Sequence, residues 1–293
     1  MEGSKIKNVI IVILILLNGF LFLLVGGRRF QDSHSHETAV NSAIQIIRDG
    51  GVELDESAVP REMSLKRMQA VRDLDREKEL AAGLLGGEVS VQARGGEVYR
   101  YQNGNGWIQF HSTGEFLAEF APGAFASDAE AAQHGIGLLA ALGFEGKVLE
   151  NGVADGEGEL LVRQSLGGVP LLGCQATLNY RDGSLVSISD GRRLLGTPYE
   201  SGGESSLPVA TALMRLYNGM KELGDIYNRM ESITPAYTLT VSLSGPAQLT
   251  PVWYVKTDTG AYQMDTRTGQ VSRVAEVGQT AMLTDGQMLL TEE

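Results

Sequence analysis

The chain has 293 residues, of which 43% are hydrophobic, so it can bury two or three packed units and is not a disordered protein. Its formal net charge is −12, and the first 29 residues carry four basic side chains against one acidic one. The remainder is therefore strongly acidic, which argues against nucleic acid as a partner. Cys174 is the only cysteine, which excludes an intrachain disulfide, and we expect it to be a small core residue.

The first predicted element is an apolar helix over residues 6–25 that spans a membrane. About 20 residues at a rise of about 1.5 Å cross a bilayer core about 30 Å thick. No small-residue cleavage site follows it, so we expect an uncleaved anchor rather than a secretory signal. Residues 1–5 would then form a short tail and residues 26–35 a linker. Basic residues flank both ends, so charge alone leaves the orientation open.

The membrane segment contains one polar side chain, Asn18, next to Gly19. Polar groups in hydrocarbon seek partners, and a small residue allows two helices to approach closely. We therefore regard Asn18 and Gly19 as a candidate helix–helix contact. The alternative is an amide that the bilayer simply tolerates.

Four further helices are predicted from apolar residues at helical spacing and from capping residues. The stripe of the first consists of Ala39, Ala43, Ile46 and Ile47. The helices are expected over 36–48, over 74–85 after an Asp73 cap, from a Ser127 cap to about Leu142, and from Ser205 or Ser206 with Pro208 in the first turn.

Short alternating segments between the helices predict antiparallel strands. The dipeptides Gly95-Gly96, Asn103-Gly104 and Asp182-Gly183 supply the positive φ angles of tight hairpins. The predicted fold class is α+β, in which the transmembrane helix is followed by two or three helix-plus-antiparallel-meander units. We place these units at residues 36–125, 126–200 and 201–275, with a C-terminal tail over 276–293.

The stretch PVWYVKTDTGAYQMDTRTGQVSRV, residues 251–274, predicts a three-strand meander with turns at Thr259-Gly260 and Thr268-Gly269. Alternation places Trp253 on the core face. Tyr254 and Tyr262 fall out of phase with it, so we expect them on an exposed face as candidate protein contacts. A free sheet edge is a second way to bind a partner, by addition of a strand.

No pattern in the sequence indicates an active site. The four histidines, His34, His36, His111 and His134, lie in no zinc-protease helix, and no nucleophile elbow, phosphate loop or dinucleotide fingerprint occurs. We therefore predict that the protein is not an enzyme and has no catalytic, cofactor-binding or metal-binding residues.

A family resemblance rests on three stretches. GVPLLGCQATLNYRDGSLVSI, residues 168–188, resembles the PepSY pattern of a Gly-x-Pro strand, a long strand, an Asp-Gly turn and a return strand. Residues 251–274 resemble the later strands of the same module. With SKIK before the membrane segment and an acidic ectodomain, the chain resembles the YycI family, whose relative YycH shares the architecture.

The YycI resemblance implies a single-pass membrane protein with a cytoplasmic N-terminus and an extracytoplasmic domain. Residues 6–25 would contact lipid. Such a protein restrains a sensor histidine kinase of the YycG (WalK) type through contacts with the kinase and with a YycH-like accessory protein. The alternative function is that of a PepSY-type envelope module, which restrains a peptidase or binds a peptide or envelope ligand.

Overall fold

The computed structural model describes residues 36–62, 65–202, 206–242 and 245–274, which form a mixed α+β fold with four α-helices and a large, mainly antiparallel sheet. The predicted anchor at 6–25, including Asn18 and Gly19, lies outside these residues. None of the helices within these ranges has the length and hydropathy needed to cross a bilayer.

The helices follow the predicted positions closely. They are α1 over residues 36–49, α2 at Leu74–Leu85, α3 at Ala131–Ala141 and α4 at Val209–Glu222, with a short 3-10 turn at Glu56–Ala58. The Asp73 cap is confirmed, because its carboxylate accepts a hydrogen bond from the backbone N–H of Arg76 at 3.0 Å.

Three details of the helix predictions are wrong. Ser127 does not cap α3, since its hydroxyl accepts from the N–H of Ala129 in the preceding loop and the helix begins at Ala131. Pro208 precedes α4 rather than lying in its first turn. On α1 the buried stripe is Ala43, Ile44 and Ile47, whereas Ile46 is half exposed.

Fifteen strands make up the sheet. In chain order they are β1 Glu53–Leu54, β2 Met68–Val71, β3 Ser90–Ala93, β4 Tyr99–Asn103, β5 Gly106–Phe110, β6 Glu115–Phe120, β7 Glu145–Asn151, β8 Gly158–Leu166, β9 Val169–Arg181, β10 Ser184–Arg192, β11 Thr197–Glu200, β12 Arg229–Thr240, β13 Ala247–Thr257, β14 Ala261–Asp265 and β15 Val271–Arg273. The Asp182-Gly183 hairpin between β9 and β10 is confirmed, with positive φ angles of 50° and 69°.

The sheet has two halves. The first half runs β3-β4-β5-β6-β10-β9-β8-β7 and is antiparallel throughout. The second half runs β11-β2-β13-β12, with β14 and β15 continuing from β13 and β1 beside β12. Strand β9 joins them, because Leu171 and Leu172 also pair in parallel with Tyr237 and Thr238 of β12.

This strand pairing groups the elements differently from the three predicted units. Strands β1 and β2, from the unit at 36–125, pair in the second half together with strands from the unit at 201–275. Strands β3 to β6 of the same unit pair in the first half. The division of the chain into three independent domains stays a prediction.

Each half has a pair of helices on one face of its sheet. The first core contains Ala81 of α2 and Leu139 of α3 with the inward side chains of β4, β5, β6, β8, β9 and β10. The second contains Ile47 of α1 and Leu213 of α4, packed against Trp253 of β13. The helices bury their apolar stripes against the sheet, as layered α+β folds require.

The C-terminal meander is confirmed, but the exposure of its tyrosines is not. Tyr254 does lie on the face opposite Trp253, yet it is only 6% exposed, because Leu172 of β9 packs beside it and the Arg163 guanidinium lies 5.5 Å from its ring. Tyr262 pairs with Val255 and therefore shares the helix-covered face, where it is 3% exposed. Neither tyrosine can be an exposed contact.

The Tyr262 hydroxyl belongs to a polar network that closes the end of α4. It donates to Asp225 at 2.8 Å, and Arg273 of β15 donates to both Asp225 oxygens at 2.7 and 2.6 Å. The hydrogen bond from Arg273 and, to a smaller extent, the one from Tyr262 hold the pKa of Asp225 below its ordinary value. The network ties the loop after α4 to the edge of the second half.

Replacing Trp253 with alanine should destabilise the protein strongly. The indole is fully buried in the second core, and truncation of such a side chain typically costs about 3–5 kcal/mol. Tyr199→Ala is the control, since this tyrosine is 47% exposed and should change stability by no more than about 0.5 kcal/mol. Chemical denaturation followed by circular dichroism compares them, and equal midpoints would contradict the assigned core.

Asp225→Asn should lower the melting temperature at pH 7 and have little effect in acid. The folded-state pKa of Asp225 is depressed, so its stabilisation is complete above the ordinary carboxyl pKa of about 3.9 and is lost as the pH falls through the lower folded value. Thermal melts of both proteins between pH 7 and pH 3 should show the gap closing. A gap that is independent of pH would contradict the ion pair.

Candidate interaction surface

The first half of the sheet has one face that none of the four described helices covers. The side chains of β4, β5, β6, β9 and β10 that alternate with the core residues point to this side, which we call the open face. Its members are Arg100, Gln102, Trp107, Gln109, Leu117, Glu119, Thr177, Asn179, Ser187 and Ser189. All of them are half-buried or exposed, whereas the side chains that alternate with them toward the first core, such as Tyr101, Ile108 and Ala118, are buried.

An aromatic and cationic pair lies on the open face. The guanidinium of Arg100 stacks over the Trp107 ring at 3.6 Å from its centroid. Its Nε also donates to the side-chain oxygen of Gln109 at 3.2 Å, and the Gln109 amide lies 3.1 Å from Nε2 of His111. Because the Gln109 oxygen accepts from Arg100, its nitrogen donates to His111, which places the imidazole proton on Nδ1. The pair is thereby held in one orientation.

The rest of the open face is polar, with one exposed apolar side chain. The Asn179 amide donates to the hydroxyls of Ser187 and Ser189 at 3.0 and 3.1 Å, so this area is internally hydrogen-bonded. Leu117 is 37% exposed, and Glu119 is exposed on the same strand. A rigid tryptophan with an arginine, an exposed leucine and satisfied polar groups is a composition found at protein interfaces.

This surface was not predicted from the sequence. The predicted contacts were Tyr254 and Tyr262, because the cover that β8 and β9 provide beside Tyr254 comes from strands far away in the sequence. The available signal was the alternation in YRYQN and GWIQF, which puts Tyr101, Ile108 and Phe110 on the core side and leaves Trp107 on the other.

A buried charged cluster lies below the opposite face. Glu77 of α2 accepts from Arg72 at 2.8 and 2.9 Å and from the Tyr101 hydroxyl at 3.0 Å. Arg193 is also buried, and burial lowers its pKa to about 10, which keeps it charged at neutral pH. Both Glu77 oxygens are occupied and desolvated, so the cluster holds α2 on the sheet rather than offering a free acid or base.

Two other titratable groups lie in or beside the buried clusters. Cys174 is buried as predicted, and burial raises the pKa of its thiol to about 12, so it carries no thiolate at neutral pH. The Tyr180 hydroxyl lies 3.1 Å from Nδ1 of His134, and burial lowers the pKa of that imidazole. Tyr180 belongs to the first core, and its ring contact with His134 completes the packing of α3, whereas Cys174 lies in a separate buried cluster with Leu171 and Tyr237.

Within the parts of the chain that the structure describes, no three His, Cys, Asp or Glu side chains come together in a way that could hold a metal ion. His36 begins α1 and is exposed, while His34 lies outside those parts. That the protein is not an enzyme and binds no cofactor stays a prediction.

Comparison with known proteins gives structural similarity alone. The sequence matches no protein-family model, and no curated protein matches it. An uncharacterised protein from Eubacterium rectale is 13% identical over 72% of this chain and 86% of its own, with a TM-score of 0.43. The YpeB C-terminal domain of Bacillus megaterium is 12% identical over 71% of this chain and all of its own, with a TM-score of 0.34.

Proposed function

We propose that the protein is a membrane-anchored, extracytoplasmic regulator that acts through protein contacts and restrains a sensor histidine kinase of the YycG (WalK) type. The observation that carries the proposal is the open face, where Trp107, Arg100 and Leu117 lie on a sheet that no helix of the described residues covers. The apolar segment at residues 6–25 supports the location, and the resemblance to the YycI family supports the kinase as partner.

A sheet face suits this role because its side chains are already fixed before a partner arrives. The Arg100–Trp107 stack and the Asn179–Ser187 hydrogen bond hold the polar groups of the open face in place. Ordering them at the interface then costs little conformational entropy. Truncation of Leu117 or reversal of its polarity should consequently weaken binding without loosening the fold.

Leu117→Glu tests the role of the open face. The matched control is Leu149→Glu on β7, because Leu149 is 40% exposed and lies on an edge strand, whereas Leu117 lies on the interior strand β6. The full-length chain is reconstituted in lipid vesicles with a YycG-type kinase, and kinase autophosphorylation is measured. We expect the native chain and the Leu149 variant to lower autophosphorylation equally. The Leu117 variant should be at least about tenfold less effective at lowering it, because it loses a central contact with the kinase.

Two results would contradict the proposal. If the native chain does not change autophosphorylation, the kinase is not its target. If both leucine variants behave like the native chain while their melting temperatures are unchanged, the open face is not the contact. A chain lacking residues 1–29 serves as a second control, since loss of the anchor should reduce its local concentration at the kinase and weaken its effect.

A further inference from the structure

Strand β3 forms an unprotected edge of the sheet. Among the strands that the structure describes it pairs only with β4 and ends the strand order of the first half, and all four of its residues are exposed. Val91 is 44% exposed. Such an edge presents unpaired N–H and C=O groups, to which another strand can bind.

The other edge strands carry the features that prevent strand addition. β11 contains Pro198, and β7 contains Lys147 and a register shift before Glu150. β15 has three residues and β1 has two. In contrast β3, with the sequence SVQA, has no charge, no proline and no irregularity in its pairing.

The register of β3 determines which of its backbone N–H and C=O groups do not bond to β4. The Arg94 N–H donates to the Val98 carbonyl at 2.9 Å, so Arg94 bonds toward β4. Bonding alternates along an antiparallel strand, which directs the N–H and C=O groups of Ala93 and Val91 away from β4. These two residues therefore present the free donors and acceptors of the edge.

The sequence around the edge is complementary to itself. Residues 88–94 read EVSVQAR, with Glu88 and Arg94 exposed at equal distances from Val91. An antiparallel copy centred on Val91 would place Val91 opposite Val91, Val89 opposite Ala93 and Glu88 opposite Arg94. All three pairs match in polarity or charge, and Val91 and Ala93 are the residues with free backbone groups.

The charge near Arg94 supports the same pairing. Arg94 lies on the same side of the sheet as Arg100, and the pKa of Arg100 is lowered by burial and, to a smaller extent, by the charge of Arg94. Glu88 from a second copy would supply the missing negative charge beside Arg94.

We propose that two copies of this chain associate edge to edge through β3, with a two-fold axis at Val91 and a Glu88–Arg94 ion pair on each side of it. The two first halves then form one continuous sheet with α2 and α3 of both copies on the same side. An identical patch on both subunits is the requirement for a closed two-fold dimer. The inference goes beyond the regulatory role and does not depend on it.

The contact covers few residues, so it is weak in solution and is favoured when both copies lie in one membrane. Interfaces below about 1,200 Å² are typical of transient complexes. Confinement raises the effective concentration of one copy around the other.

Charge exchange tests the pairing. Full-length chains are labelled with donor and acceptor fluorophores and reconstituted in phosphatidylcholine vesicles, where energy transfer reports association. Glu88→Arg alone and Arg94→Glu alone should each weaken association about tenfold, because two attractive contacts become repulsive. The double variant, and an equimolar mixture of the two single variants, should each restore it. Arg181→Glu, an exposed arginine of β9, is the control for total charge and should have no effect.

A second pair of variants tests the axis and the backbone bonds. Val91→Cys should form a disulfide-linked dimer on mild oxidation, because the Cα atoms of such a pair lie about 5.5 Å apart, within the range for a disulfide. Leu149→Cys should not. Ala93→Pro removes a free N–H without removing a bond to β4, so it should abolish energy transfer while the melting temperature stays unchanged.

Several results would overturn the inference. The inference fails if Ala93→Pro leaves the energy transfer intact, or if the single charge reversals do not reduce it. It also fails if the mixture of the two single variants does not restore the energy transfer, or if the native chain associates with other proteins but not with itself. Kinase regulation is measured separately, so its failure with the dimer intact would refute the regulatory role alone. Loss of the dimer with regulation intact would refute only the edge-to-edge contact.

Discussion

The fold depends on β9 being shared by both halves of the sheet. Most of this strand pairs with β8 and β10, but Leu171 and Leu172 pair with β12. Between these segments Gly173 adopts a φ of +75°, a conformation that side chains other than glycine rarely adopt. The reversal there puts Leu171 and Cys174 together in the core at the junction and turns Leu172 toward Tyr254. Without this bend the two halves would have separate sheets.

The shared strand also explains why the open face is confined to the first half. In each half the helices cover one face of the sheet, so the opposite face of each half would be exposed if the sheet were flat. The bend brings Arg163 of β8 over Tyr254, which buries that side of the second half. The first half has no such neighbour and leaves Trp107 and Leu117 accessible. A single change of strand direction thus separates a structural surface from a candidate contact surface.

Local sequence patterns predicted the helices, strands and turns well, but they predicted poorly which elements pack against each other. The Asp73 cap, the Asp182-Gly183 turn and the alternation that separates Trp253 from Tyr254 each depend on residues close in sequence, and each is confirmed. Tyr254 is buried because Arg163 and Leu172 lie beside it, and both come from strands that are far away in the sequence. Burial of Tyr262 depends on the register of a hairpin, in which a shift by one residue changes the face. Strands β1, β2 and β11 were not predicted, because each has at most four residues and no hairpin turn joins it to the strand with which it pairs.

The second half is built from the two ends of the described chain, and the first half is inserted between them. α1 packs with α4, and Gln69 of β2 pairs with Gln248 of β13. Contacts between residues so far apart form slowly, because the intervening chain must be brought together first. The first half has its own core and can condense while the remainder is still being synthesised. The apolar stripe of α1 then stays unburied until β12, β13 and α4 have been synthesised. A chain that ends before α4 would therefore lose the structure of α1 as well.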